Sequence, residues 1–335
     1  MNFKKISGFI YQNAIYFVLL ALVVAMTLVD PRFLSLTTLR DILLQSSTRM
    51  IIALGAVFAI LTAGADLSAG RMVGLAAVIS ASMLQAPDYL RLFFPGLPQL
   101  PLFIPILIAI AACTLFGAIN GSVIARFGVP PFIATLGSMV VIYGFTSIYF
   151  DLPPNQSQPI GGLRSDFTEL GTGAIGIGPY SIPYIVIIAA VVTFLMWVLL
   201  NKTRFGKNTY AIGGNVNAAK VSGINVGRTT IWMYTIAGAL YGLAGVLEAA
   251  RTGGATNNYG NGYELDAIAA CVVGGVSTTG GIGSVQGIVA GVLIFSVINY
   301  GLTFIGLNPY WQMIIKGLII VSAVAVDIRK YISKR

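Results

Sequence analysis

The sequence predicts an all-α polytopic membrane protein with about ten transmembrane helices by the length rule for a bilayer. Hydrophobic residues make up 56% of the 335 residues and charged residues only 9%, whereas soluble domains carry roughly 25% charged residues. The apolar residues are also grouped into runs that approach the length of a membrane-spanning helix, about 20 residues. A chain this poor in charge must expose most of its surface to lipid.

The candidate spans are ten apolar runs, of which the third and the eighth are short or rich in glycine. We treat residues 1–335 as one membrane domain. The first run is followed by Asp30-Pro31-Arg32 and not by a cleavage site of small residues, so we expect it to stay in the protein as a helix. The runs lie near residues 11–29, 42–63, 71–86, 101–125, 132–150, 180–200, 229–250, 264–280, 284–304 and 310–328.

The distribution of positive charge predicts the orientation. When the ten runs are threaded through a membrane, 13 of the 20 lysines and arginines fall on one side. Cytoplasmic loops carry the excess of positive charge in membrane proteins. We therefore expect both termini in the cytoplasm, residues 151–179 in an external loop and residues 201–228 in a cytoplasmic loop.

Several function classes are excluded by what the chain lacks. The net charge is +9, but the basic residues lie between apolar runs and are not clustered with aromatic residues on one face. We therefore expect no nucleic-acid partner. There is no histidine, and Cys113 and Cys271 lack the spacing of a metal site. The only Gly-Lys pair, at Gly206, does not complete a P-loop. We expect no metal, no cofactor and no catalytic residues, with any ATP hydrolysis on a separate subunit.

Small residues four apart mark three helix seams, because they let helix backbones approach closely in lipid. Tight packing within one subunit is favoured over a dimer interface as their role. The seams are Gly117 with Gly121, Gly238 with Gly242, and Gly283 with Gly287 and Gly291.

The 201–228 loop contains a predicted short helix. Asn215 is a good N-cap and Gly223 a good C-terminal stop, so residues 216–222 should be helical. A short helix held in a cytoplasmic loop suggests a docking element for a partner; the alternative is an amphipathic connector that rests on lipid headgroups. The candidate docking residues are Asn217, Ala218, Ala219 and Gly223.

Two polar breaks interrupt the apolar runs. Asp66 and Ser68 lie between the second and third runs, and Glu264 and Asp266 between the seventh and eighth. A carboxylate at the bilayer centre costs roughly 2.5–3.5 kcal/mol, so it must line water or find a partner. The breaks occupy corresponding places in two halves of opposite orientation, which predicts inverted repeats around a pathway; for Asp66 a structural helix cap is an equal alternative. The candidate pathway residues are Asp66, Ser68, Asn120, Asn257, Asn258, Glu264, Asp266 and Asn299.

Several segments resemble a known family. Residues 217–223 (NAAKVSG) are similar to the Glu-Ala-Ala-x-x-x-Gly loop of ATP-binding-cassette importer permeases, with Asn217 in place of the glutamate. Other segments resemble the ribose, xylose and galactose branch of bacterial sugar permeases, and the last two of them the galactose and methyl-galactoside permeases in particular. These segments are 33–35 (FLS), 62–70 (TAGADLSAG), 131–137 (PFIATLG), 264–275 (ELDAIAACVVGG), 257–258 (NN) and 298–317.

The resemblance implies a permease subunit, in the bacterial inner membrane, that moves a monosaccharide, galactose or methyl galactoside, from periplasm to cytoplasm. It also implies partners: a second copy of the chain, a cytoplasmic ATPase that fits the predicted docking helix, and a periplasmic sugar-binding protein, all in contact with membrane lipid. The alternative function is an ion- or proton-coupled secondary sugar transporter, which needs no docking helix.

Overall fold

The computed structural model describes residues 14–176 and 178–332, and this part of the chain is mostly helical. The small exception is a two-stranded antiparallel sheet within residues 151–183. The predicted all-α class is therefore confirmed; residues 11–13 of the first run and the extreme termini lie outside the described residues. The elements are α1 Ala14–Val29, α2 Leu36–Leu61, α3 Ala69–Met83, α4 Phe103–Phe127, α5 Pro131–Phe150, α6 Ser165–Thr172, β1 Ala174–Ile175, β2 Ile182–Pro183, α7 Tyr184–Lys202, α8 Arg204–Gly214, α9 Val216–Val221, α10 Val226–Thr252, α11 Tyr263–Val273, α12 Val285–Phe304 and α13 Pro309–Ile332.

Within the described residues, six helices are long and apolar enough to cross a membrane: α2, α4, α5, α7, α10 and α12. Helices α1 and α3 are apolar but shorter. Large apolar side chains on α4, α5 and α7 are exposed, among them Leu115, Ile148 and Phe194. Exposed apolar area on this scale marks a surface that meets lipid or another protein.

The apolar run at 264–280 is not one helix, and its prediction as a continuous span is wrong. Helix α11 has 11 residues and ends at Val273, so it is about 16 Å long at 1.5 Å per residue, roughly half the hydrocarbon core. Residues 274–284 form an irregular connection in which Gly275, Gly280 and Gly281 have φ values of +83°, +88° and +75°. Residues with a Cβ rarely adopt this left-handed backbone, which is why the helix stops there.

Helix α10 lies at the centre of the fold and packs against α4, α3 and α2. Its close approach to α4 depends on the predicted glycine seam. A Cβ on Gly117 would collide with the backbone oxygen of Tyr234, and a Cβ on Gly238 with that of Cys113. Likewise, a Cβ on Gly291 of α12 would collide with the backbone oxygen of Ala270 in α11. The seams therefore pack helices within one chain, as the sequence favoured.

Candidate functional site

The first polar break, residues 62–68, joins α2 to α3 through a buried hydrogen-bond network around Asp66. One carboxylate oxygen of Asp66 accepts hydrogen bonds from the backbone N–H and the hydroxyl of Ser68, at 3.0 and 2.5 Å. The other accepts from the hydroxyl of Tyr241 at 3.2 Å, and Asn120 donates to the Ser68 hydroxyl at 3.1 Å. All four side chains are buried. Three donors therefore satisfy Asp66, and the network fixes the start of α3 against α4 and α10.

The second break, residues 253–262, folds back onto the first turns of α3. A Cβ on Gly70 would collide with the backbone oxygen of Gly260 and the carboxylate of Glu264, and a Cβ on Gly74 with the backbone oxygen of Tyr259. Only glycine allows backbones to approach this closely. The second break is thus in direct contact with the start of α3, some 190 residues away in sequence.

A polar surface lies where the second break meets α3 and α5; we call its residues, Arg71, Tyr143, Asn258 and Asn261, the junction face. The guanidinium of Arg71 lies over the ring of Tyr143 in α5, 4.2 Å from its centroid. Arg71 also donates hydrogen bonds to the amide oxygens of Asn261 at 3.1 Å and Asn258 at 3.4 Å. The neighbouring Asn257 donates to the hydroxyl of Ser147 at 3.3 Å, which ties the second break to α5.

Glu264 and Asp266 lie in the first turn of α11 and not in the break that precedes it, so their placement between two helices is corrected. Acidic side chains there are favoured by the positive end of the helix dipole. Glu264 is buried beside Gly70. Asp266 forms ion pairs with Arg49 of α2 and, at 3.3 Å, with Lys316 of α13. Asp266 therefore joins three helices.

The ion pairs continue into a network that the sequence reading missed. Arg49 lies 5.0 Å from the ring centroid of Tyr263, and Tyr263 donates a hydrogen bond to Glu248 of α10 at 3.0 Å. Glu248 pairs with Arg251 at 2.8 Å. The position of Glu248 inside the apolar run 229–250 was the available signal, because a carboxylate in such a run needs a partner.

Asn299 of α12 borders the same network. It lines a cavity of about 10 Å³ with Arg49, Tyr263 and Asp266, and both polar atoms of its amide are buried without a partner among the described residues. A cavity of this size holds about one water molecule.

The candidate pathway residues fall into three adjoining groups. The buried network contains Asp66, Ser68 and Asn120. At or beside the junction face lie Asn257, Asn258 and Glu264. The ion-pair network contains Asp266 and is bordered by Asn299.

The short helix predicted in the 201–228 loop is present as α9. The side chain of Asn215 caps it by accepting a hydrogen bond from the backbone N–H of Ala218 at 3.0 Å, and Gly223 ends it with φ +80°, so both predicted ends are confirmed. Asn217 and Ala218 are exposed, whereas Ala219 is buried. Val221 is 90% exposed.

Helix α8, which precedes α9, was not predicted from the sequence. The hydroxyl of Tyr210 in α8 donates to the backbone oxygen of Gly283 at 3.1 Å, and burial raises the pKa of Tyr210. A Cβ on Gly213 would collide with the backbone oxygen of Leu61 at the end of α2. Helix α8 thus connects α9 to the end of α2 and to the 274–284 connection.

Comparison with known proteins adds the family. Residues 38–324 match the model of the family described as branched-chain amino acid transport system / permease component. The galactose/methyl galactoside import permease protein of Haemophilus influenzae is 54% identical over 97% of this chain and 96% of its own length. Its counterpart in Escherichia coli is 51% identical over 100% of this chain and 99% of its own. The ribose import permease protein of Escherichia coli is 37% identical over 93% and 92%. No solved structure matches the chain.

The ion-pair network predicts unequal effects for two aspartates. In Asp266→Asn, Arg49 and Lys316 lose their carboxylate partner in a site where the three side chains are 14–25% exposed. We therefore expect the free energy of unfolding to fall by about 3 kcal/mol, as it does when a buried ion pair is broken. The control Asp166→Asn breaks a pair with Arg164 in which the aspartate is 46% exposed, so it should cost about 1 kcal/mol or less. Thermal unfolding of the purified variants in one detergent measures both. Equal melting temperatures would contradict a stabilising role for Asp266.

Proposed function

The chain belongs to the family of permease components described for branched-chain amino acid transport, and from that premise we propose that it is the membrane permease of an ATP-binding-cassette importer for galactose and methyl galactosides. The observation that carries the substrate is the identity of 51–54% along nearly the full length of two proteins named for those sugars. The protein named for ribose is 37% identical. The protein is a multi-pass permease of the bacterial inner membrane. We propose galactose and not ribose as its main substrate.

We propose that a separate ATPase supplies the energy and docks on α9. The sequence contains no P-loop. Helix α9 offers Val221, 90% exposed, and Val216, 43% exposed, beside the positive charge of Lys220. Exposed valines on a rigidly capped helix suit an apolar cleft of a partner. Asn217 and Ala218 would face the partner directly, while the buried Ala219 and the turn at Gly223 would hold α9 in place.

We propose ten crossings with both termini in the cytoplasm, in which α3 and α11 are the broken members of two inverted repeats. In this arrangement α2, the first break and α3 correspond to α10, the second break and α11. The end of α3 lies beside the 151–179 segment, since the backbone N–H of Arg164 donates to the oxygen of Leu84. The connection after α11 lies at the opposite end, since the N–H of Gly281 donates to the oxygen of Leu61. The two short helices therefore run from the junction toward opposite ends of the molecule.

We propose that the sugar route follows the polar breaks. Broken helices at corresponding points of two repeats are the usual sign of a binding region near the membrane midplane. Asn257, Asn258, Glu264, Asp266 and Asn299 would border the route, and the buried network of Asp66, Ser68 and Asn120 would hold its first break in shape. A second copy of the chain and the surrounding lipid would cover the remaining surface. Residues 151–179, with exposed Asp166 and Glu169, would receive a periplasmic sugar-binding protein.

Sugar uptake into proteoliposomes tests the function. With the ATPase inside, ATP supplied and the galactose-loaded binding protein outside, galactose should accumulate, and omission of any one component should abolish uptake. The ion-coupled alternative gives the opposite pattern: accumulation driven by a proton or sodium gradient without the ATPase. That result would contradict the proposal.

Docking through α9 predicts that Val221→Asp uncouples transport. Burying a carboxylate in an apolar cleft is unfavourable, and we expect uptake to fall by about tenfold, the effect of roughly 1.4 kcal/mol of lost docking energy. The matched control is Leu34→Asp, which changes a residue that is 71% exposed between α1 and α2, outside both surfaces proposed to bind partners. Uptake and ATPase co-purification are measured for both variants. If Val221→Asp transports as well as Leu34→Asp, α9 is not the docking element.

The orientation predicts the side from which two introduced cysteines can be labelled. Cys113 and Cys271 are fully buried, so the natural chain should give little background. Ser165 and Lys207 are both exposed, and Lys207 lies outside the proposed docking helix. In intact cells with a permeable outer membrane, Ser165→Cys should react with an impermeant maleimide, and Lys207→Cys should react only after the inner membrane is opened. The reverse pattern would invert the topology.

A further inference from the structure

The junction face lies at mid-depth of the membrane by two independent distances. The thiol of Cys113 donates a hydrogen bond to the backbone oxygen of Met72 at 3.1 Å, and Cys113 is the eleventh of the 25 residues of α4. The guanidinium of Arg71 lies over the ring of Tyr143, which is the thirteenth of the 20 residues of α5. Both helices are long enough to span the bilayer, so their middle residues lie near its centre.

At this depth the junction face is open and polar. Asn258 and Asn261 are exposed, Tyr143 is 38% exposed and Arg71 is partly exposed. Among the described residues, Arg71 forms no ion pair with a carboxylate. An arginine facing lipid at the bilayer centre costs roughly 2.5–3.5 kcal/mol on insertion scales, and exposed amides add to this cost. This surface must therefore face water or a polar ligand.

Exposed side chains elsewhere on α5 and on α7 differ in polarity from those of the junction face. Elsewhere on α5, Val140 and Ile148 are 63% and 68% exposed and apolar, as lipid contact requires. On α7, Val191 is 52% exposed near the middle of the helix. The exposed side chains of the junction face are polar, whereas these three exposed side chains on α5 and α7 are apolar.

We propose that the junction face is a sugar-contacting site on the translocation route, with Arg71 and Tyr143 as residues that contact the passing sugar. The proposal rests on the proposed function. The ring of Tyr143 offers an apolar face for the C–H side of a pyranose, and the guanidinium and the two amides offer donors and acceptors in planes that suit neighbouring hydroxyls. The bonds of Arg71 to Asn261 and Asn258, at 3.1 and 3.4 Å, are neutral-acceptor bonds that hydroxyl groups can replace.

A charged thiol reagent tests this site in the complete transporter. Asn261→Cys, and separately Asn258→Cys, are reconstituted with the ATPase and the sugar-binding protein, and treated with sulfonatoethyl methanethiosulfonate. The reagent needs water to reach a thiol, so we expect both cysteines to react. A sulfonate fixed beside Arg71 should then lower galactose uptake by about tenfold or more, the size expected from at least 1.4 kcal/mol of lost contact, while ATP hydrolysis is retained.

The matched control is Val191→Cys, at similar depth on a lipid-facing surface, which should not react. If the junction cysteines are as unreactive as Val191→Cys, the face is covered by lipid or protein and the proposal is wrong. If they react but uptake is unchanged, the face holds water and does not contact sugar, which also overturns the proposal. Failure of the proposed function is a separate result, because then the unmodified complex takes up no galactose at all.

A pair of ring variants separates sugar contact from packing. Tyr143→Phe keeps the aromatic face and Tyr143→Leu removes it. We expect uptake by Tyr143→Leu to be about tenfold lower than uptake by Tyr143→Phe, with assembly with the ATPase retained in both. Equal uptake by the two variants would contradict the assigned role of the ring.

Discussion

A membrane offers no water to backbone groups that helices leave unpaired, and the two interruptions in this chain must satisfy theirs within the protein. The first break does so through Asp66, which accepts bonds from Ser68 and Tyr241. The second is pressed against α3 at Gly70 and Gly74, where no side chain could be accommodated. Because the network of Asp66 anchors the start of α3 and the second break packs against α3, the short helices α3 and α11 can begin inside the fold. The polar surface between them follows from that arrangement.

Charge is distributed in the interior by the same rule. Asp266 pairs with both Arg49 and Lys316 across α2, α11 and α13, and Glu248 with Arg251 forms a further pair along α10. Buried pairs are seldom strongly stabilising compared with apolar packing, but removing one partner is costly. The ion-pair network therefore fixes the positions of α10, α11 and α13 around the second break. Arg71 differs, since the hydrogen bonds and the ring contact that it forms are with neutral groups.

Much of the fold could be predicted from the sequence because its signals are local. Apolar runs gave the long helices, and Asn215 and Gly223 gave the ends of α9. The contact of Gly70 with Gly260 could not be predicted, because it joins segments 190 residues apart. A glycine in a sequence does not indicate which distant residue it will contact. For the same reason Arg71 was counted only as a marker of topology, and Glu248 was overlooked. The end of α11 at Val273 was missed because residues 274–280 carry no charge and the predicted run was continued through them, although Gly275 and Gly280 adopt a left-handed backbone.

The central claim is that both breaks enter the membrane and that the second break meets the start of α3 near its middle. Cryo-electron microscopy of the complete transporter in a lipid nanodisc measures this directly, since the lipid density fixes the depth of each residue. The account predicts that Gly70 and Gly260 are in backbone contact and that Asn258 and Asn261 lie near the centre of the lipid density, on a surface free of lipid chains. Residues 253–262 lying outside the lipid density, or lipid chains packed on Arg71, would contradict it.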